Sequence, residues 1–284
     1  MSTPLLPIVC FGAAHIDRHA RAVGPVLPAT SNPVTVSVSA GGVARNVAET
    51  LARLGAPVTL VSRVGADADG DRIVATLDRL DVNTAAIGCD DGRPTASYTA
   101  LTEPDGELWV GIADMGLYEA LTPAVLAPIV DALPRPALWF VDCNLPAESL
   151  AFLLRARPTD VQAAVDAVSI PKAARLAGLL PHIDLLFCNA DEAAVLAGGC
   201  SSVTATAAAL RTLGAGVAVV GLGGNGLALA DAEGQIEMPA LPARPRDVTG
   251  AGDALIAGTL FGIAGGRSPR GSVALGLAAA ALAI

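Results

Sequence analysis

Short β-branched apolar runs alternate with alanine-rich stretches of helical periodicity along almost the whole chain. Continuous apolar runs predict strands buried on both faces at 5–11, 58–64, 137–142, 161–165, 184–188 and 217–220. Amphipathic stretches predict helices between Gly42 and Gly55, and over 70–80, 123–133, 147–155 and 171–177, with a short strand near 84–87. Such spacing requires βαβ crossovers, hence an α/β three-layer sandwich around a mostly parallel sheet, with ligands gathered at the strands' carboxyl ends.

Three segments break this pattern. Residues 34–39 alternate apolar and hydroxyl side chains, and 96–102 and 107–112 do the same on either side of Pro104-Asp105-Gly106. Strands with one wet face do not belong in a sheet covered on both sides. They predict a small separate sheet, spanning about 13–40 and 92–112, that acts as a lid and excludes water. The 284 residues are expected to form one domain carrying this lid. The run 273–284 is too short to cross a bilayer and contains Gly276, so it reads as a buried helix. It ends without a cap, polar tail or turn, so one more short element is expected after Ile284. The start, Met1 to Pro7, has no basic region and no long apolar core, so no signal peptide is expected.

A hydrophobic content of 52% supports a large core, and a net charge of −9 without a basic stripe argues against nucleic acid as a partner. A small molecule is the expected ligand, with no membrane association. Cys10, Cys89, Cys143, Cys188 and Cys200 are scattered without a C-x-x-C pair, which predicts reduced structural thiols in a cytoplasmic protein. Lys172 is the only lysine, so neither a G-x-x-x-x-G-K-[ST] loop nor a protein-kinase lysine set exists. There is no G-x-S-x-G and there are three histidines. His15 and His19 stand four apart, but a loop after the first strand is the expected setting and no third ligand cluster appears. A carboxylate-based transferase survives this elimination.

The candidate chemistry centres on 246–258, where Gly250, Ala251 and Gly252 lead into a helix whose first amides form an anion site. Asp253 would compete with an anion there, unless it takes a proton from a hydroxyl while the amides stabilise a transferring phosphoryl group. An ordinary acidic residue at a helix start fits the same residues. Gly41 and Gly42 precede a helix with Asn46 in its first turn, an arrangement suited to a polyol ligand or simply to tight packing. Asp17 could accept hydrogen bonds from sugar hydroxyls. Asn189 and Glu192, at i and i+3, could order a hydrated Mg²⁺ with its phosphates or form a capping box. Residues 221–226 read G-x-G-x-x-G, but a strand rather than a helix follows, which excludes a dinucleotide fold and leaves a glycine turn that could flank a nucleotide.

Taken together, Gly41-Gly42-x-x-x-Asn46 with Gly55 and Gly65, Asn189-x-x-Glu192, and Asp247-Val248-Thr249-Gly250-Ala251-Gly252-Asp253 resemble the ribokinase-like (PfkB) family of sugar and nucleoside kinases. The resemblance implies a ribokinase-like fold, with Asp253 as the base and the amides of Gly250, Ala251 and Gly252 as the anion hole. It further implies that Asp17, Gly41, Gly42 and Asn46 hold a ribose, that Asn189 and Glu192 order Mg–ATP, with Glu192 reaching the metal through water, and that Gly223 and Gly226 flank the nucleotide. Asp247 matches a position that in some relatives helps bind a monovalent cation such as K⁺. Within the family, 31–46, 142–146 and 168–172 look most like pseudouridine kinases, which implies phosphorylation of a 5′-hydroxyl, with Asn144 as an added substrate contact. A kinase for another ribosyl substrate or sugar is the alternative, and a non-catalytic nucleoside sensor is disfavoured by the intact Asp253. Two residues depart from the pattern: His15 stands where relatives often carry Asn, and Gly221 where Thr is commoner. A homodimer through the lid strands is also expected.

Overall fold

The computed structural model describes residues 4–245 and 248–284. The chain runs through β1 (Ile8–Phe11), β2 (His15–Ala22), β3 (Val34–Gly41), α1 (Val43–Arg53), β4 (Val58–Gly65), α2 (Ala68–Asp78) and β5 (Ile87–Asp90). It continues with β6 (Ser97–Thr102), β7 (Leu108–Asp114), α3 (Pro123–Ala132), β8 (Ala137–Asp142), α4 (Ala147–Arg155), β9 (Val161–Asp166) and α5 (Ile170–Ala173). There follow β10 (Leu185–Asn189), α6 (Ala190–Ala197), α7 (Val203–Thr212), β11 (Val217–Gly221), β12 (Leu227–Asp231), β13 (Gly234–Met238), α8 (Ala251–Ala264) and α9 (Pro269–Ala283).

The apolar runs pair into one sheet of order β13-β12-β11-β10-β9-β8-β1-β4-β5, parallel from β5 to β11 and closed by the antiparallel pair β12 and β13. Successive side chains point to opposite faces, so each buried run feeds two cores. Val9, Phe11, Trp139 and Val141 meet α3, α4, α6 and α7 on one side. Ile8, Cys10, Leu138 and Phe140 meet α1, α2, α8 and α9 on the other. That double demand is why these strands read as continuous apolar runs rather than alternating ones. The α8–α9 contact depends on Gly276, where a Cβ would collide with the Thr259 hydroxyl and the Leu255 carbonyl.

The half-polar strands form a second sheet of order β3-β2-β6-β7, as expected. The expected loop at 13–19 is largely strand β2, paired to β3 from His15↔Gly41 to Ala22↔Val34. Its polar sequence HIDRHARA hides the strand, because only Ile16 and Ala22 of its eight residues are fully buried. Other boundaries shift for local reasons. Helix α2 begins two residues earlier than expected because Asp67 caps it, its Oδ1 accepting from the Gly70 amide at 2.8 Å. The strand expected at 84–87 pairs instead over Ile87–Asp90. The helix expected over 171–177 ends at Ala173 and tightens into a 3₁₀ turn over Ala174–Leu176. Helix α9 is buried only along Ser272, Val273, Gly276 and Leu277, and Leu282 is 88% exposed, so the expectation of a buried terminal helix holds for one face alone.

Candidate active site

The carboxyl ends of β1, β8 and β9 lie toward the root of the lid and the start of α8, where the charges of Asp142 and Asp17 act on Asp253 and those of Asp253 and Asp142 act on Asp166. Asp142, the last residue of β8, is fully buried, and its Oδ2 accepts from the amides of Ala13 (2.9 Å) and Ala44 (3.0 Å) while its Oδ1 accepts from Asn144 (2.8 Å). One side chain thereby ties the β1–β2 junction to the first turn of α1. Gly12 has φ 147°, and a Cβ there would collide with the Asp142 carboxylate. Tyr118 secures the same junction, its hydroxyl accepting from the Ala14 amide (2.9 Å) and donating to the Ala14 carbonyl (2.8 Å). Burial raises the proton affinity of Asp142, and its three backbone donors oppose that shift.

Gly250, at φ 81°, breaks the backbone into α8 and delivers Asp253 to the helix's first turn. The Nδ2 of Asn46 donates to Asp253 Oδ2 at 2.6 Å. Arg45 donates to the Gly41 (3.1 Å) and Ala40 (2.9 Å) carbonyls, to Glu49 and to the side-chain oxygen of Asn46, so Asn46 is gripped from behind and its amide is aimed at Asp253. Burial pushes the Asp253 carboxyl up to about 6. The Asn46 hydrogen bond opposes this shift, and the negative charge of Asp142 adds to it. Asp17, Ser39, Asn46, Gly250 and Asp253 line a common cavity of about 420 Å³. Gly41 and Gly42 have steric reasons of their own: a Cβ at Gly41 would collide with the Asp17 carboxylate, and one at Gly42 with the Ala13 carbonyl. At Gly250 and Gly252 a Cβ would meet nothing within 4 Å among the described residues.

On the far side of the sheet's centre, Asn189 and Glu192 form a complete capping box. Asn189 Oδ1 accepts from the Glu192 amide, Glu192 Oε2 accepts from the Asn189 amide, and Glu192 Oε1 accepts from Asn189 Nδ2, each at 2.9 Å. The buried Glu192 carboxyl has a raised proton affinity, from burial first. In the turn after β11, Gly226 is required because a Cβ would meet the Met238 carbonyl, whereas Gly223 faces open space. Asn144 is engaged by Lys172, whose ammonium donates to its Oδ1. Asp247 lies outside the described residues.

The site residues therefore fall into two groups: Asp17, Asn46, Gly250 and Asp253 line one cavity, with Gly41 and Gly42 leading into α1 and Ala251 and Gly252 opening α8 beside them, while Asn189, Glu192, Gly223 and Gly226 stand at the ends of β10 and β11. Sequence reasoning missed Asp142, Asp166, Tyr118 and Arg45. Asp142 and Asp166 each end an apolar strand and are register partners across β8 and β9, a signal that was legible. Asp166 has its proton affinity raised well above the ordinary, by burial and then by Asp253 and Glu192. His15 Nε2 lies 3.1 Å from Asp17 Oδ1, where its N–H donates to the carboxylate, while its Nδ1 is buried with no hydrogen-bond partner among the described residues.

The model of the pfkB family of carbohydrate kinases matches residues 6–284. A pseudouridine kinase of Escherichia coli is 33% identical over 256 residues, covering 88% of this chain and 82% of its own. The solved structure of a carbohydrate kinase from Agrobacterium tumefaciens superposes with a TM-score of 0.86 at 35% identity, covering 98% of this chain and 90% of that one. A ribokinase of Arabidopsis thaliana, solved with ribose and ATP, shares the fold at a TM-score of 0.82 and 23% identity, covering 99% and 92%. The layered sheet and its small second sheet are those of the family's solved structures, and the chain belongs to the pfkB family of carbohydrate kinases, phosphotransferases that act on an alcohol group.

Proposed function

We propose that the protein transfers the γ-phosphoryl group of ATP to the 5′-hydroxyl of a nucleoside, pseudouridine above others, giving pseudouridine 5′-phosphate. The observation that carries the chemistry is Asp253: a carboxylate with a pKa of about 6, oriented by Asn46 at 2.6 Å, in the first turn of α8 where Gly252 is exposed. In this reading Asp253 accepts the hydroxyl proton as the oxygen attacks phosphorus, and the Gly250, Ala251 and Gly252 amides receive the negative charge that moves with the phosphoryl group. Asp17 and Asn46, with the Gly41–Gly42 backbone, orient the ribose. Both oxygens of Glu192 are already engaged by Asn189, which suits a carboxylate that meets a hydrated Mg²⁺ through water rather than directly.

Pseudouridine is favoured by the 33% identity to the E. coli enzyme. A second reading, another ribosyl substrate or sugar, is favoured by His15 beside Asp17 and by an uncharacterised sugar kinase of E. coli that is 31% identical over 281 residues. A panel of pseudouridine, uridine, adenosine and ribose with Mg–ATP separates them. Pseudouridine is expected to give the highest kcat/KM, and turnover of ribose alone would overturn the first reading. A cytoplasmic setting accords with five unpaired cysteines, and no helix among the described residues is long and apolar enough to cross a membrane. We also propose that two copies pair through the lid.

A further inference from the structure

Lys172 has no part in the chemistry above, yet its surroundings are unusual. It is the only lysine in the chain, it is half-buried, and among the described residues its ammonium has one hydrogen-bond partner, Asn144 Oδ1. An ammonium carries three donors, and withdrawing it from water without matching acceptors is costly. Burial accordingly holds its pKa below the usual lysine value. No carboxylate among the described residues lies within ion-pair distance of it, whereas Asp69, Glu49, Asp90, Asp184 and Asp231 are all taken by arginines.

The backbone that presents Lys172 is strained. Val168 sits at φ 67°, and the Ser169 amide donates across it to the Ala167 carbonyl at 2.8 Å, which makes a γ-turn with positive φ at a β-branched residue. Asp166 holds this turn, its Oδ2 accepting from the Val168 amide at 3.1 Å. Strain of this kind persists where surrounding bonds enforce it, and it concentrates at ligand-contacting segments. The place in the sheet is informative too. Asn144 follows β8, next to β1 and its junction with the lid, and its amide donates to the same Asp142 that fixes Ala13 and Ala44. The Asn189–Glu192 motif follows β10, two strands further along.

We infer that Lys172 is a specificity residue for the acceptor, its ammonium donating to a carbonyl oxygen on the heterocyclic base of a nucleoside while Asn144 fixes its direction. This rests on the nucleoside-kinase reading. It gives the enzyme a means of telling a pyrimidinedione from a ring of the same size without carbonyls.

The test compares two ribosides, pseudouridine and a C-riboside bearing a phenyl ring, as substrates of the full chain and of its Lys172→Met and Lys172→Arg variants. The wild type is expected to prefer pseudouridine by about 10- to 100-fold in kcat/KM, the range of a hydrogen bond to a charged group. Lys172→Met should reduce that preference to within about 3-fold, and Lys172→Arg should keep most of it. Because the readout is a ratio, a general loss of folding or of ATP binding does not move it. A preference unchanged in Lys172→Met, in a wild type that phosphorylates both ribosides, overturns this inference alone. A wild type that phosphorylates neither overturns the nucleoside reading and this inference with it.

Discussion

A carboxylate accepts a proton from an alcohol most usefully when its own affinity for protons lies close to the working pH, and Asp253 meets that condition. Its pKa of about 6 arises from burial, so kcat/KM should rise as pH increases through about 6 and level off above it. Asp253→Asn should lower kcat by about 10²- to 10⁴-fold with a small change in the dissociation constant of the nucleoside. The same burial has a stability consequence of definite sign. The folded-state pKa is raised above the ordinary value of 3.8, so ionising Asp253 opposes folding, and stability falls as pH rises from about 4 through about 6. Asp253→Asn should therefore melt higher than the wild type at pH 8, with the gap narrowing toward pH 4. A variant that loses activity and also melts lower at pH 8 would contradict the burial argument. Gly252 offers a separate check. A Cβ there meets nothing within 4 Å among the described residues, so Gly252→Ala should fold normally, and a raised KM for ATP with an unchanged melting temperature would mean that a ligand occupies that space.

Asp142 joins three elements through three amides. Asp142→Ala would leave those donors buried and unmatched, and an expected loss of about 3 kcal/mol or more in urea unfolding follows. A loss under 1 kcal/mol would mean that the junction is held mainly by Tyr118. A second joint ties α9 to β12, where Arg270 donates to both oxygens of Asp231 at 2.8 Å. That bidentate bond lowers the Asp231 pKa, so its stabilisation is present above the ordinary carboxylate range and is lost as pH falls through the lowered value. Arg270→Ala should lower the melting temperature at pH 7 and change it much less near pH 2. These joints also explain what the sequence could and could not reveal. The strands of the large sheet were legible because burial on two faces leaves an unbroken apolar run. Strand β2 was not, because its pairing partners carry the order while its own side chains are polar. The Asn189–Glu192 pattern was visible but ambiguous, since a capping box and a phosphate-ordering pair need the same two residues at the same spacing.

At the scale of the whole molecule, the lid is the part least accounted for by its own chain. Its register places Ser39, Asp17, Tyr98 and Ala113 in one row, with Asp17 and Ser39 on the cavity, and Val38, Arg18, Thr99 and Ile112 in the neighbouring row on the opposite face. Along that outer face Val36, Val38 and Ile112 are 54%, 39% and 60% exposed. The outermost strands β3 and β7 also leave one edge each without a partner among the described residues. Apolar side chains combined with an open strand edge are an invitation to pairing, and natural sheets usually blunt such edges with charge. Residues 34–41 carry no charged side chain. A second copy of the same lid would cover both features at once, and it would do so on the face away from Asp253, closing the cavity without entering it. Val36→Asp with Ile112→Asp adds two like charges to that face and should convert a dimer to a monomer in analytical ultracentrifugation. If the lid must be braced by its partner to exclude water from the transfer, the same variant should raise the KM for the nucleoside and increase ATP hydrolysis without acceptor. A wild type that sediments as a monomer at micromolar concentration would refute the pairing and leave the lid to close on its own.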